Sequence, residues 1–151
     1  MSDEKQSPAT PSFAGEFRHK VEGRNRITIP ARWRFEEEVE IFLLPKQARR
    51  CITVLTRAEL EKVKSELRER LTPDERLDVL ETIGSTIRQT TLDKGGRITI
   101  PDEFCKAFKI AREVVLVGAL DRFNIWSIAD YEANKPADPA RRDAHMRKAG
   151  L

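Results

Sequence analysis

Arg26-Ile27-Thr28-Ile29-Pro30 recurs as Arg97-Ile98-Thr99-Ile100-Pro101, 71 positions further on. Five identical residues in one frame mark an internal duplication, a signal read ahead of any local motif. Upstream, Glu22-Gly23-Arg24-Asn25 stands opposite Asp93-Lys94-Gly95-Gly96. Asn and Gly accept positive φ, so both quartets read as tight turns. The Arg-Ile-Thr-Ile run alternates and is β-branched, which suits a strand. Pro30 and Pro101 each open a short amphipathic stretch, ARWRFEEE and DEFCKAFK, with proline at the first helical position. Further out, apolar strands at 39–44 and 51–55 match those at 114–117 and 123–126, and Thr56 and Ser127 stand as helix caps. Each copy reads strand, basic turn, strand, short helix, strand, loop, strand, helix.

Two helices are expected between the copies. Thr56 with Glu59 three residues on is a capping-box pattern, and Leu60, Val63, Leu67 and Leu71 follow at helical spacing. Thr72-Pro73-Asp74-Glu75 repeats the start signal, Leu77, Leu80 and Ile83 extend the stripe, and Gly84 is a plausible stop. A helical hairpin with a narrow apolar seam reads as intramolecular core. Residues 1–15 are polar and read as a disordered arm with nothing to bury. The expected organisation is an arm at 1–15, a first unit at 16–57, a helical hairpin at 58–86, a second unit at 87–130, and a short helix with a basic, disordered tail at 131–151.

Composition narrows the function classes. At 151 residues the chain suits one ordinary domain or two small units. Charged residues make up 35% and mean hydropathy is −0.55. No run approaches the roughly 18 apolar residues of a membrane span, and the N-terminus lacks the apolar core of a signal peptide, so a cytoplasmic protein is expected. Cys51 and Cys105 read as buried small hydrophobes, and with two histidines there is no zinc pattern. There is no phosphate-binding glycine loop and His19 and His145 have no nucleophile pattern, so no enzyme, cofactor, metal or small-molecule substrate is expected. The formal net charge of +3 is unevenly spread. Residues 16–34 hold six Arg or Lys against two Glu, while the hairpin holds an acidic excess.

These residues resemble the MraZ family, whose members carry two AbrB-like (SpoVT/AbrB) units. The family pattern, DxxxR followed by an alternating strand and Pro, is met fully by residues 93–101. Residues 22–30 have Glu22 for Asp and Asn25 for the usual Gly. Leu116-Val117-Gly118 and Phe123-Asn124-Ile125-Trp126 also match, and the resemblance spans roughly residues 15–135. It implies an α+β fold of two tandem AbrB-like, swapped-hairpin (double-split β-barrel) units joined by a helical hairpin. It also implies a ring-shaped homo-oligomer, octamer or dodecamer, that binds double-stranded DNA at promoter direct repeats. Such a nucleoid-associated regulator acts on the bacterial division and cell-wall gene cluster and on its own promoter. This chain departs from the family in its N-terminal extension and in Pro136-Ala137-Asp138-Pro139, which breaks the last helix.

For DNA contact the residues of choice are Arg26 and Arg97, which leave a turn at a strand start. Guanidinium groups fork onto phosphate oxygens or a guanine edge. Arg18, Lys20, Arg24 and Lys94 add phosphate contacts, which position without reading sequence. Glu22, Asp93, Asn25, Gly96, Pro30 and Pro101 read as the structural part of the motif, with Glu22–Arg26 and Asp93–Arg97 ion pairs pinning the turns as the alternative role of the arginines. Arg32 and Arg34 read as solvated or at a subunit contact, and Trp33, Phe35, Phe104, Phe108 and Trp126 as core or interface anchors. The competing function is an AbrB-type protein-interaction module, an antitoxin-like scaffold. The basic tail and the doubled unit argue against it.

Overall fold

The computed structural model describes residues 12–34, 39–134 and 139–151. Phe35 and the 136–138 segment lie outside them. Copy one supplies β1 (Glu16–Glu22), β2 (Arg26–Thr28), a 3-10 turn at Ala31–Trp33, β3 (Glu40–Lys46), β4 (Cys51–Thr56) and α1 (Arg57–Arg70). After α2 (Pro73–Thr86), copy two supplies β5 (Arg88–Thr91), β6 (Arg97–Thr99), α3 (Asp102–Ala107), β7 (Glu113–Gly118), β8 (Phe123–Ser127) and α4 (Ile128–Asn134), followed by α5 (Pro139–Lys148).

The eight strands form one antiparallel, nearly closed, barrel-like sheet in the order β5-β3-β4-β8-β7-β1-β2-β6. The copies are interlocked in it. β1 pairs with β7 of the other copy, and β5 pairs with β3. Two ladders join equivalent strands. In β2–β6 Ile27 lies opposite Ile98, and in β4–β8 Thr53 lies opposite Asn124. Both pairs are 71 residues apart, so a pseudo-two-fold axis passes through them. The Thr53 hydroxyl spans the axis to Asn124 Oδ1 at 2.7 Å. The α+β, AbrB-like architecture implied by the doubled motif is therefore realised as one shared sheet.

The core fills the inside of this sheet. Ile27, Ile29, Ile98 and Ile100 from the repeated motif are buried with Ile41, Leu43, Ile52, Leu116, Phe123 and Ile125. A smaller cluster of Cys51, Val115 and Trp126 packs under Ile128 and Tyr131 of α4 on the other face. Each closing helix is clasped by the opposite copy. Ser127 caps α4 by accepting from the Asp130 amide, and Arg50 donates to Asp130 Oδ1 at 3.1 Å. Thr56 caps α1 in the same way, but the Glu59 carboxylate, buried, turns to Arg122 at 2.7 Å and does not complete the capping box. The full box forms at α2, between Thr72 and Glu75.

Several expectations need correction. Of the expected arm at 1–15, residues 1–11 lie outside the described residues, and residues 12–15 do bury area. Phe13 is 2% exposed, sits edge-on to Trp33, and exchanges two backbone hydrogen bonds with Leu120. The Trp33 indole donates to the Ala14 carbonyl at 3.0 Å. Gly118 admits this strap, since a Cβ there would lie 2.1 Å from the Phe13 carbonyl oxygen. Gly84 does not stop α2, which continues to Thr86. The tail is not irregular, because 139–148 forms α5. The hairpin seam is not core either: α2 buries none of its residues. Among the described residues no helix is long and apolar enough to cross a membrane.

Phe13→Ala is expected to destabilise the protein by about 3 kcal/mol, the ordinary cost of emptying a buried aromatic site. Urea unfolding of the two proteins checks it; a loss below about 1 kcal/mol would mean that the strap does not belong to the cooperative core.

Candidate nucleic-acid interface

The two motif turns are brought to one end of the sheet by reciprocal backbone bonds. Ile29 donates to the Gly96 carbonyl at 2.9 Å, and Ile100 donates to the Asn25 carbonyl at 2.8 Å. These are equivalents under the pseudo-two-fold, so each turn is braced by the strand exit of the other copy. The turns solve their geometry differently. Copy one holds Arg24 and Asn25 at φ 64 and 58°, whereas copy two uses Gly96 at φ 77°. A non-glycine residue in this region costs about 1 kcal/mol or more, which the bracing must offset.

Between the turns, β2 and β6 form a two-stranded ribbon. Ile27 and Ile98 point inward, so Arg26, Thr28, Arg97 and Thr99 share the outward face, with Arg26 opposite Thr99 and Thr28 opposite Arg97. β1 continues that face, because Glu22 pairs with Arg26 and the exposed positions of β1 are Glu16, Arg18, Lys20 and Glu22. Arg24 and Lys94 are exposed at the turn tips. The fold thus gathers Arg24, Arg26, Lys94 and Arg97 at one end, with Lys20 beside them. Arg18 lies further along β1 and pairs with Glu132 of α4 at 2.8 Å.

The arginines of the motif are not equivalent. Arg97 is half-buried, with Nη1 3.2 Å from Glu22 and Nε 3.4 Å from Asp93 Oδ2. The Glu22–Arg26 ion pair anticipated from the sequence is replaced by this cross-copy Glu22–Arg97 pair, because β2–β6 pairing carries Arg97 across to the end of β1. Arg26 instead donates through Nε to the Gly23 carbonyl at 3.0 Å. Both arginines are half-buried; Arg97 is paired with the two carboxylates, whereas Arg26 has its Nε on a backbone carbonyl. The faces differ too. The counterparts of Arg18 and Lys20 in copy two are the exposed Gln89 and Thr91, so the cationic half belongs to copy one.

Two carboxylates hold the brace together. Asp93 accepts from the Arg97 amide at 2.9 Å, and this bond, with the Arg97 charge beside it, holds its carboxyl below the usual carboxylate range. Glu22 is lowered by the Thr28 hydroxyl at 2.8 Å and then by Arg97. Arg34, read from sequence as solvated or at a subunit contact, is exposed and also belongs here. Its Nε donates to the Ile29 carbonyl at 3.1 Å, and its guanidinium lies against the Gly96 backbone, 2.5 Å from where a Cβ would stand. No local signal marks Arg34, since its neighbour is the turn of the other copy. Asp102 accepts from the Asn25 side chain, a further cross-copy link at the base of the turns. At the far end of β1, Tyr131 donates its hydroxyl to Glu16. Burial first, and then that bond, push its pKa up to about 12.

Lowered acidic pKa values stabilise the fold at neutral pH, and the contribution is lost as pH falls through the lowered range. Asp93→Asn is therefore expected to weaken stability at pH 7 and to flatten the loss seen below about pH 4. Thermal unfolding across pH 2–7 measures this (about five pH points suffice); an unchanged acid limb would show that Asp93 does not hold the turn. Tyr131, the one tyrosine in the chain, is expected to ionise near pH 12 when folded. Its raised value means that its contribution is complete below about pH 10 and disappears as pH rises through the folded value. Ultraviolet titration of the phenolate reads it directly, and Glu16→Gln is expected to bring the transition down.

A family model described as "MraZ protein, putative antitoxin-like" matches residues 86–142. The chain is 31% identical over 127 residues to "Transcriptional regulator MraZ" of Clostridium tetani, across 83% of this chain and 89% of that protein. It is 30% identical over 123 residues to the protein of the same name from Desulforamulus reducens, covering 80% and 84% of the two chains. For that of Clostridium acetobutylicum the figures are 30% over 116 residues, covering 76% and 81%. With its motif doubled and interlocked in one sheet and its relatives matched along most of their length, the chain belongs to the MraZ family.

Proposed function

We propose that this protein is a transcriptional regulator that binds double-stranded DNA through the outward face of β2–β6 and β1. The observation that carries the reading is the two-stranded ribbon with an arginine from each copy on its solvent face. A two-stranded β-ribbon is one of the elements that the major groove admits, and Arg paired with guanine O6 and N7 is its commonest specific contact. In this reading Arg26 contacts base edges or phosphates, Arg97 orients the ribbon, and Arg24, Lys20, Lys94 and Arg18 meet phosphates. The names of the relatives support regulation of transcription. From the family resemblance we infer action in the cytoplasm, at the nucleoid, on direct repeats ahead of its own gene and the division and cell-wall gene cluster. A ring of identical subunits suits that arrangement. One subunit offers few contacts, and a cyclic array repeats them at each tandem site, so weak contacts add by avidity.

Fluorescence anisotropy against the duplex upstream of its own gene and a scrambled duplex tests the reading at physiological salt. The native duplex should bind more tightly. Arg26→Ala should cost about 1–3 kcal/mol on that duplex and narrow the preference. Lys20→Ala and Lys94→Ala should weaken both duplexes alike and lower the salt slope by about 1 each. Equal weak binding to both duplexes, untouched by Arg26→Ala, would discard DNA reading by this face. The antitoxin-like interaction module, which has the wording of the matched family model in its favour, would then replace it.

A further inference from the structure

We propose that the outer face of the sheet holds a binding site for a compact phosphate group, formed by Lys46, Arg49 and Arg122. The inference does not depend on the DNA reading. These residues belong to the β3, β4 and β8 part of the sheet, and β7 and β1 lie between that part and the β2–β6 ribbon. Alternation places them on one face. Ile52, Val54, Phe123 and Ile125 fill the core, so Cys51, Thr53 and Asn124 look the other way. Lys46 lies opposite Cys51, and Leu44 lies opposite Thr53, so Lys46 shares this outer face. Arg122 stands two residues before Asn124 and reaches Glu59 in the first turn of α1. Lys46 and Arg122 therefore flank the Thr53–Asn124 bond at the pseudo-two-fold from opposite sides. Arg49 lies over the Trp126 ring, 5.7 Å from its centre, on the Lys46 side.

The cations of this face are not equally satisfied. Arg50 is taken by Asp130 and Arg122 by Glu59. Among the described residues Lys46 and Arg49 have no carboxylate partner. Lys46 is nevertheless half-buried. Burial first, and then the charges of Arg122 and Arg49, hold its ammonium below the ordinary lysine range. Lys46, Arg49 and Arg122 thus meet one carboxylate, Glu59, and two positive charges are left over. A partly desolvated charge without a counter-ion is costly, and a bound anion removes that cost. A phosphate dianion matches the excess. Its tetrahedral oxygens suit a guanidinium fork on one side and an ammonium on the other.

The test uses the full chain without DNA and inorganic phosphate as the probe, against chloride at equal ionic strength. Trace acylation with acetic anhydride, read by mass spectrometry at each lysine, reports the fraction of free amine. Phosphate beside Lys46 favours the ammonium, so its acylation at about pH 8.5 should slow at least about threefold. Lys64 and Lys106, which have carboxylate partners of their own, serve as internal references and should not change. Arg49→Gln should remove most of the phosphate effect at Lys46. Arg122 is left intact, because its loss would strand the buried Glu59. Thermal melts give a second reading: phosphate should raise the melting temperature of wild type more than that of Lys46→Gln. Equal slowing at all three lysines would overturn the proposal, as an effect of the ionic atmosphere only. If Lys46 does not acylate at all, the melts decide, and an equal phosphate effect in wild type and Lys46→Gln overturns it. Protection of Lys46 by a scrambled duplex, with none by phosphate, would also overturn it, by assigning the face to nucleic-acid backbone. None of these outcomes decides whether Arg26 reads DNA, which the anisotropy series tests separately.

Discussion

Neither copy of the repeat can complete its own sheet, and the rest of the molecule follows from that constraint. β1 finds its second neighbour only in β7, and β5 finds its neighbour in β3. The three-residue strands β2 and β6 are too short to stand without each other. Backbone groups that would otherwise be orphaned are paired across the copies, Ile29 with Gly96 and Ile100 with Asn25. The four isoleucines of the motif are buried as one layer because this pairing sets them face to face.

The same interlock organises the charges. Antiparallel pairing places Arg97 across from Thr28, within reach of Glu22 at the end of β1. An arginine that sequence spacing assigns to its own turn thereby serves both turns. At the other end of the shared ladders, Arg50 with Asp130 and Arg122 with Glu59 repeat the theme. In each, a cation from one copy pairs with a buried carboxylate in the first turn of the other copy's helix, although Asp130 Oδ2 keeps no hydrogen-bond partner. Pairs of this kind cost much when one member is lost, since a buried charge is then left alone.

Much of this was legible in the chain itself. The repeat, the strands, the turn residues and the starts of α1 and α2 follow from local chemistry: β-branched alternation, Asn and Gly at positive φ, and Thr or Pro at helix starts. What escaped local reading depends on distant partners. Phe13 looks like part of a polar arm until Trp33, Phe123 and the Cβ-free Gly118 make a seat for it. Glu59 looks like a capping-box acid until Arg122 takes it. Arg34 is exposed, as read, but its contact with the turn of the other copy, about sixty residues away in the chain, has no local sign. Leu77 and Leu80 have core periodicity, but periodicity says only that a face is apolar, not what covers it.

The broken symmetry of the outward face has a further meaning. Two identical chains related by a two-fold must show the same surface twice. Here the halves are joined in one chain, so each position is free to change alone. Arg18 and Lys20 stand where the other half has Gln89 and Thr91, and Arg24 stands where it has Gly95. A linear polyanion lying across the ribbon would meet a more cationic half and a less cationic one, and its two orientations would differ in energy. Joining the two copies in one chain has thus given an otherwise ambidextrous scaffold a front and a back.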